Sequence, residues 1–199
     1  MTQSKKSLWT FILGFVAFEC LCIGVLLSFS RLEQMTWVNA HHSNSADLIF
    51  QFFTGLAEVF LPIAFAFYLY KRKRNFFTPF LSSYALTTIL VQSLKHLVFS
   101  HSLRPIAYFA QLHLPWYLVP GVEIHTQNSF PSGHTAAGWF MFFWFALLGK
   151  SRFWGGAMSF LAHFPVDIAV GAFIGFSSSA LVYYYLIYKP HAFHVKDAA

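Results

Sequence analysis

Charge is what this chain has least of. Only 10% of its 199 residues are Asp, Glu, Lys or Arg, where a soluble domain carries about 25%, and 57% are hydrophobic. That balance excludes an ordinary water-facing fold. Cysteine is nearly absent as well. Cys20 and Cys22 are the two present, and both fall inside one apolar block, which argues against a disulfide scaffold or a thiolate metal site and leaves packing as their role. Acidic residues are scarcer than basic ones, 7 against 13, for a net charge of +6. In a soluble protein that excess would suggest nucleic acid. Here the cations cluster between apolar blocks, as topology signals do, and nucleic acid is discounted as a partner.

What the chain does have is apolar blocks of about 20 residues, each long enough to cross about 30 Å of hydrocarbon as a helix. They run from about Leu8 to Ser30, Leu48 to Tyr70, Phe76 to Phe99, Phe130 to Gly149 and Phe164 to Tyr188. The first is too long for the apolar core of a signal peptide and has no small-residue cleavage site before Arg31, so it is expected to be retained. Lys5 and Lys6, the run Lys71 to Arg74, Lys150 with Arg152, and Lys189 with Lys196 mark four cytoplasmic stretches and put both termini inside. An even number of crossings then requires one between Arg152 and Phe164. The ten apolar residues Phe153 to Ala162 reach only about 15 Å as a helix, and Gly155-Gly156 weakens them. The expected fold is therefore all-α: one membrane-embedded domain over residues 1–199, a polytopic bundle of five full spans plus a short fifth segment.

Glu19 and Glu58 fall inside the first two blocks. A carboxyl at membrane depth is a functional candidate, but with no partner visible in sequence a structural role is the favoured reading. Trp9, Trp37, Trp116 and Trp154 stand near block ends as interfacial anchors. His41 and His42 are read as solvated loop residues, and a haem or metal carrier ranks last, because nearly all of the 10 histidines lie in loops or at block ends.

The residues that carry chemistry bracket the outer stretch Ser100 to Ser129. Lys95 offers a point charge to a phosphate, and Arg104 a planar fork matching two phosphate oxygens, with Pro105 stiffening the chain after it. In Pro131-Ser132-Gly133-His134, the proline can open the next helix and the glycine lets the backbone approach an anion. The helix N-terminus then supplies N–H groups, and His134 can donate or accept a proton. Further on, His163 and Asp167 are four residues apart, one helical turn, so the carboxylate could fix the imidazole tautomer, and Pro165 suits the first turn of that helix.

From Lys95 to Gly171 this pattern resembles the type 2 phosphatidic acid phosphatase superfamily. That family carries a lysine followed by Arg-Pro, then Pro-Ser-Gly-His, then Ser-Arg ahead of a histidine and an aspartate four apart. The resemblance implies a membrane phosphatase that hydrolyses a lipid phosphomonoester or a prenyl diphosphate at the outer leaflet, in a bacterial inner membrane with its site facing the periplasm. It assigns Lys95, Arg104, Ser132 and Gly133 to phosphate binding and His134 to protonation of the leaving alcohol. His163 would be the nucleophile, forming a phosphohistidine, and Asp167 would orient it. No metal or other cofactor is implied, since fixed cations and amides neutralise the phosphoryl oxygens.

Two departures stand out. Eight residues separate Lys95 from Arg104, against six in the family. At the family's Ser-Arg positions this chain has Gly156 and Ala157, and ten residues separate Arg152 from His163, with Arg152 on the cytoplasmic side of the charge pattern. A deletion removing one helix and its arginine would account for both the missing cation and the short segment. The alternative reading is thus a catalytically impaired member that binds anionic lipid or a partner.

Overall fold

The computed structural model describes residues 3–41, 43, 45, 48, 52, 60–114, 117, 126–148 and 165–190. Outside them lie His42, Glu58, Trp116, Trp154, Arg152, the short segment Phe153 to Ala162 and His163. The described residues form helices α1 (Gln3–Ser28), α2 (Arg31–Ala40), α3 (Leu61–Arg72) and α4 (Arg74–Ser93), the last running on into a π-helical turn, Leu94–Val98. Then come α5 (Pro105–Gln111), α6 (Gly133–Leu148) and α7 (Pro165–Tyr183), the last also ending in a π turn, Tyr184–Tyr188. No strand occurs among the described residues, and the all-α expectation holds there.

α6 is apolar all round and therefore needs neighbours on every side. It packs against α1, α4 and α7. Trp144, Phe140 and Phe143 are fully buried around it and join Leu69 and Phe80 in the main core. α1 lays Phe11, Phe15 and Phe18 on Trp139, and Phe15 stacks on Phe176 of α7 at 4.0 Å between centroids. Its other side turns Leu13, Val16 and Leu27 outward, Leu27 with 84% of its surface exposed. Glu19 is half-buried in this helix, and its Oε1 is buried with no hydrogen-bond partner among the described residues.

The seam between α6 and α7 is set by glycine. A methyl group at Gly171 would stand 2.4 Å from the Ser132 carbonyl oxygen, and one at Gly175 would stand 2.1 Å from that of Ala136. The two glycines are one turn apart, and only their missing side chains let the backbones approach so closely, the small-residue packing used between helices in lipid. Ser178 and Ser179 extend the seam, each donating to a carbonyl one turn back. On α4, Ser83 accepts from Trp144 Nε1 at 2.9 Å, and Thr87 bonds to Ser178, so that helix turns its hydroxyls inward.

Among the described residues two helices, Leu8–Ser28 and Val166–Tyr188, are long and apolar enough to cross a membrane by length and composition, where five full spans were expected of the whole chain. α6 is apolar but shorter. α4 has the length, and its serines, threonines and Gln92 dilute its apolarity. In the second block the described residues are Leu48, Phe52 and the run from Phe60, which continues as the 12-residue α3.

Two helices were not legible as such in the sequence reading. α2 occupies what looks like an outer loop: Ser30 caps it, its hydroxyl accepting from the Glu33 N–H while the Glu33 carboxylate accepts from the Ser30 N–H at 2.7 Å. His41 is the C-cap just past this helix, an exposed turn residue as expected, with its ring against Trp37. α5 opens at Pro105, which sits in the first turn, where proline loses no bond. Met35 of α2 is fully buried against Phe109 of α5, with Tyr108 and Val166 around them.

Candidate active site

Six of the seven expected site residues are described, and they gather at one end of the bundle. Lys95 stands in the π turn that closes α4. Such a turn holds one residue more than an α turn, closed here by the Phe99 N–H on the Leu94 carbonyl at 2.8 Å. It takes up part of the long spacing to Arg104. Lys95 Nζ lies over Gly133: a methyl group built there would be 4.0 Å from it and 3.7 Å from Val91 Cγ1.

Arg104 is held by main chain on both sides. Its N–H donates to the Thr126 carbonyl at 2.9 Å, its Nε donates to the Gln127 carbonyl at 3.2 Å, and its own carbonyl accepts from Tyr108 N–H. Two more bonds bind the same loop to the chain before α6: Ser129 N–H to the Ser102 carbonyl, and Phe130 N–H to Ser102 Oγ. The Arg-Pro and Pro-Ser-Gly-His motifs are thus laced together without a strand. Arg104, Thr126, Gln127 and Asn128 line a cleft of about 330 Å³, and Asn128 adopts φ 55°, a left-handed turn that asparagine tolerates. Burial pushes the Arg104 pKa down, while the charge of Asp167 acts in the opposite direction.

The Pro-Ser-Gly-His turn differs from expectation in one respect. α6 begins at Gly133, not at the proline; Pro131 precedes the cap, and Ser132 is the cap itself. Ser132 Oγ accepts from Thr135 N–H at 3.3 Å and from Thr135 Oγ1 at 2.9 Å, and the first intrahelical bond runs from Ala136 N–H to the Ser132 carbonyl. The amides of Gly133 and His134 come before that first intrahelical bond. His134 is half-buried in the first turn.

Asp167 lies in the first turn of α7, which opens at Pro165 as the sequence suggested. It is 2% exposed. Ser129 Oγ donates to its Oδ2, and its carbonyl accepts from the Ser132 N–H at 2.9 Å. Lys95 is within electrostatic reach of both Arg104 and Asp167. Lys95, Arg104, Ser132, Gly133, His134 and Asp167 are therefore brought together, and His163 is outside the described residues. Ser129 and Ser102 were missed in the sequence, where nothing distinguishes them from other loop serines except nearness to the motifs.

Two cations, a helix N-terminus and an imidazole beside them make an arrangement suited to a tetrahedral oxyanion. The crystal structure of Aquifex aeolicus LpxE superposes with a TM-score of 0.57 at 24% identity, covering 80% of this chain and 99% of that one, a likeness of fold. No curated protein matches the sequence. The family model of the PAP2 superfamily matches residues 76–190, which hold every motif described above, and the chain belongs to that superfamily.

Proposed function

We propose that this protein is an integral membrane lipid phosphatase that releases phosphate from a lipid phosphomonoester or prenyl diphosphate lying at the outer leaflet of a bacterial inner membrane. The observation that carries the reading is Lys95 Nζ over Gly133 at the N-terminus of α6, with Arg104 fastened alongside by the Thr126 and Gln127 carbonyls. In this reading Lys95 and Arg104 clamp the phosphoryl oxygens, and Ser132 and the Gly133 amide complete the cradle. His134 protonates the leaving alcohol. His163 attacks phosphorus, the bond to the leaving oxygen breaks as the phosphohistidine forms, and water then releases phosphate and regenerates the imidazole. Asp167 orients His163. The outward apolar side chains of α1, with Phe173 and Leu181 of α7, fit a lipid surround.

A second reading has an observation of its own. Gly156 and Ala157 stand where the family places Ser-Arg, and loss of one charged clamp costs about 3 kcal/mol of transition-state stabilisation, a rate factor above a hundred. An impaired member that binds anionic lipid through Lys95, Arg104 and Ser132 would retain the cradle without the turnover.

Phosphate release from phosphatidylglycerol phosphate, phosphatidic acid and undecaprenyl diphosphate in detergent with EDTA separates the two. Release that persists in EDTA and disappears in His134→Ala is expected. Its absence from well-folded protein would favour the binding reading.

A further inference from the structure

We propose that Ser129 is a positioning residue for the phosphatase reaction, acting through Asp167. The proposal rests on the reading above, in which Asp167 orients the nucleophile. Ser129 is 1% exposed and Asp167 2%, so neither exchanges its partner for water. A buried carboxylate needs donors, and the Ser129 hydroxyl has one proton, which it gives to Oδ2. The Asp167 main chain is tied to the same turn by the Ser132 N–H, so the residue is gripped twice, once by its backbone and once by its side chain. With Oδ2 held by Ser129, the direction of Oδ1 is fixed.

Ser129 is itself anchored. Its N–H donates to the Ser102 carbonyl at 3.2 Å, and the next amide donates to Ser102 Oγ at 3.1 Å. One chain of bonds therefore runs from the Arg104 loop through Ser129 to the first turn of α7, so the serine sets the carboxylate relative to the phosphate clamp and not merely relative to its own helix. A nucleophilic role for Ser129 does not fit: the hydroxyl is enclosed, and its proton faces a carboxylate already bonded to it.

The test is kinetic, on purified full-length protein. Ser129→Ala is expected to lower kcat about ten- to a hundred-fold with KM within about threefold, because the carboxylate is misplaced by a fraction of an ångström while the phosphate cradle is untouched. Ser129→Thr, which keeps the hydroxyl, should recover most of the rate. Ser129→Cys, with nearly the same volume and a weak donor, should lose it even if the alanine variant folds poorly. In single turnover, adding Ser129→Ala to Asp167→Asn should cost little beyond Asp167→Asn alone, a coupling that a purely structural serine would not show. Wild-type kcat in both the alanine and the cysteine variants, or a full additional loss in the double variant, overturns the proposal. Absence of phosphate release from the wild-type protein would instead overturn the phosphatase reading, and this proposal with it.

Discussion

Ser132 has two demands on one hydroxyl. It caps α6 by accepting from Thr135, and in the proposed cradle its proton would go to a phosphate oxygen. The two are compatible, because a hydroxyl accepts and donates at once. Ser132→Ala is then expected to lower stability by about 1 kcal/mol through loss of the cap and to raise KM as well, read by thermal melting in detergent and by phosphate release. At Arg104 the distinction is shape against charge. Its Nε is committed to the Gln127 carbonyl, which leaves the terminal nitrogens for a ligand. Arg104→Lys keeps the charge and loses the fork, so kcat/KM should fall at least about tenfold, or about 1.4 kcal/mol; equal activity would show that charge alone suffices. Both residues were legible from the sequence, since motif chemistry is local. Ser129 was not, because its partner Asp167 is 38 positions away and only the fold joins them.

At the scale of elements, what the sequence concealed was small and polar. Apolar blocks announce buried helices by length, and α1, α4, α6 and α7 overlap the blocks that begin near Leu8, Phe76, Phe130 and Phe164. α2 and α5 are short, and their stop and start signals, Ser30-x-x-Glu33 and Pro105, sit in a stretch whose polarity reads as loop. The Gly171-x-x-x-Gly175 spacing was equally visible but has no meaning until a partner helix is known. Gly175→Ala must push apart α6 and α7 where a methyl group would meet Ala136 O, Ala136 C and Phe140 N at 3.0 Å or less. Overpacking costs about 1–3 kcal/mol, and contact with rigid main chain belongs at the upper end, so a clear drop in melting temperature is expected. α2 offers a pH-dependent case. Hydrogen bonds from the Ser30 hydroxyl and amide hold the Glu33 carboxyl below its ordinary pKa. A lowered folded-state pKa contributes stability above the unfolded value that is lost as pH falls through the folded one. Amide exchange in α2 should therefore accelerate in acid, and Glu33→Gln should exchange faster at neutral pH with little further change on acidification.

Across the whole molecule, the cations of the α3–α4 corner and the one beyond α7 lie at the end away from the site. Lys71 and Arg74 lie over aromatic rings at the α3–α4 corner, and Lys189 lies over Tyr185 beyond α7. Leu69, Phe76, Phe77, Tyr183 and Ile187 share one core cluster, which puts the corner and the end of α7 on the same side. Val91, Leu94, Ala136 and Ile174 form a second cluster next to the site. From Arg74 to Lys95 the chain rises by 21 residues, about 30 Å at 1.5 Å each, the thickness of a bilayer's hydrocarbon. α4 has the length a span needs, and Ser83 and Thr87 turn their hydroxyls into the bundle. The proposed function puts the Arg74 end on the cytoplasmic side, following the charge pattern. Single cysteines at exposed Lys73 and His101, in a chain with Cys20 and Cys22 replaced by alanine, test both steps. An impermeant maleimide should label the position 101 cysteine in intact spheroplasts and the position 73 cysteine only after permeabilisation. The reverse pattern would invert the orientation and place the site in the cytoplasm, and labelling of both from one side would mean that α4 does not cross, leaving the cradle without the leaflet geometry the phosphatase reading requires.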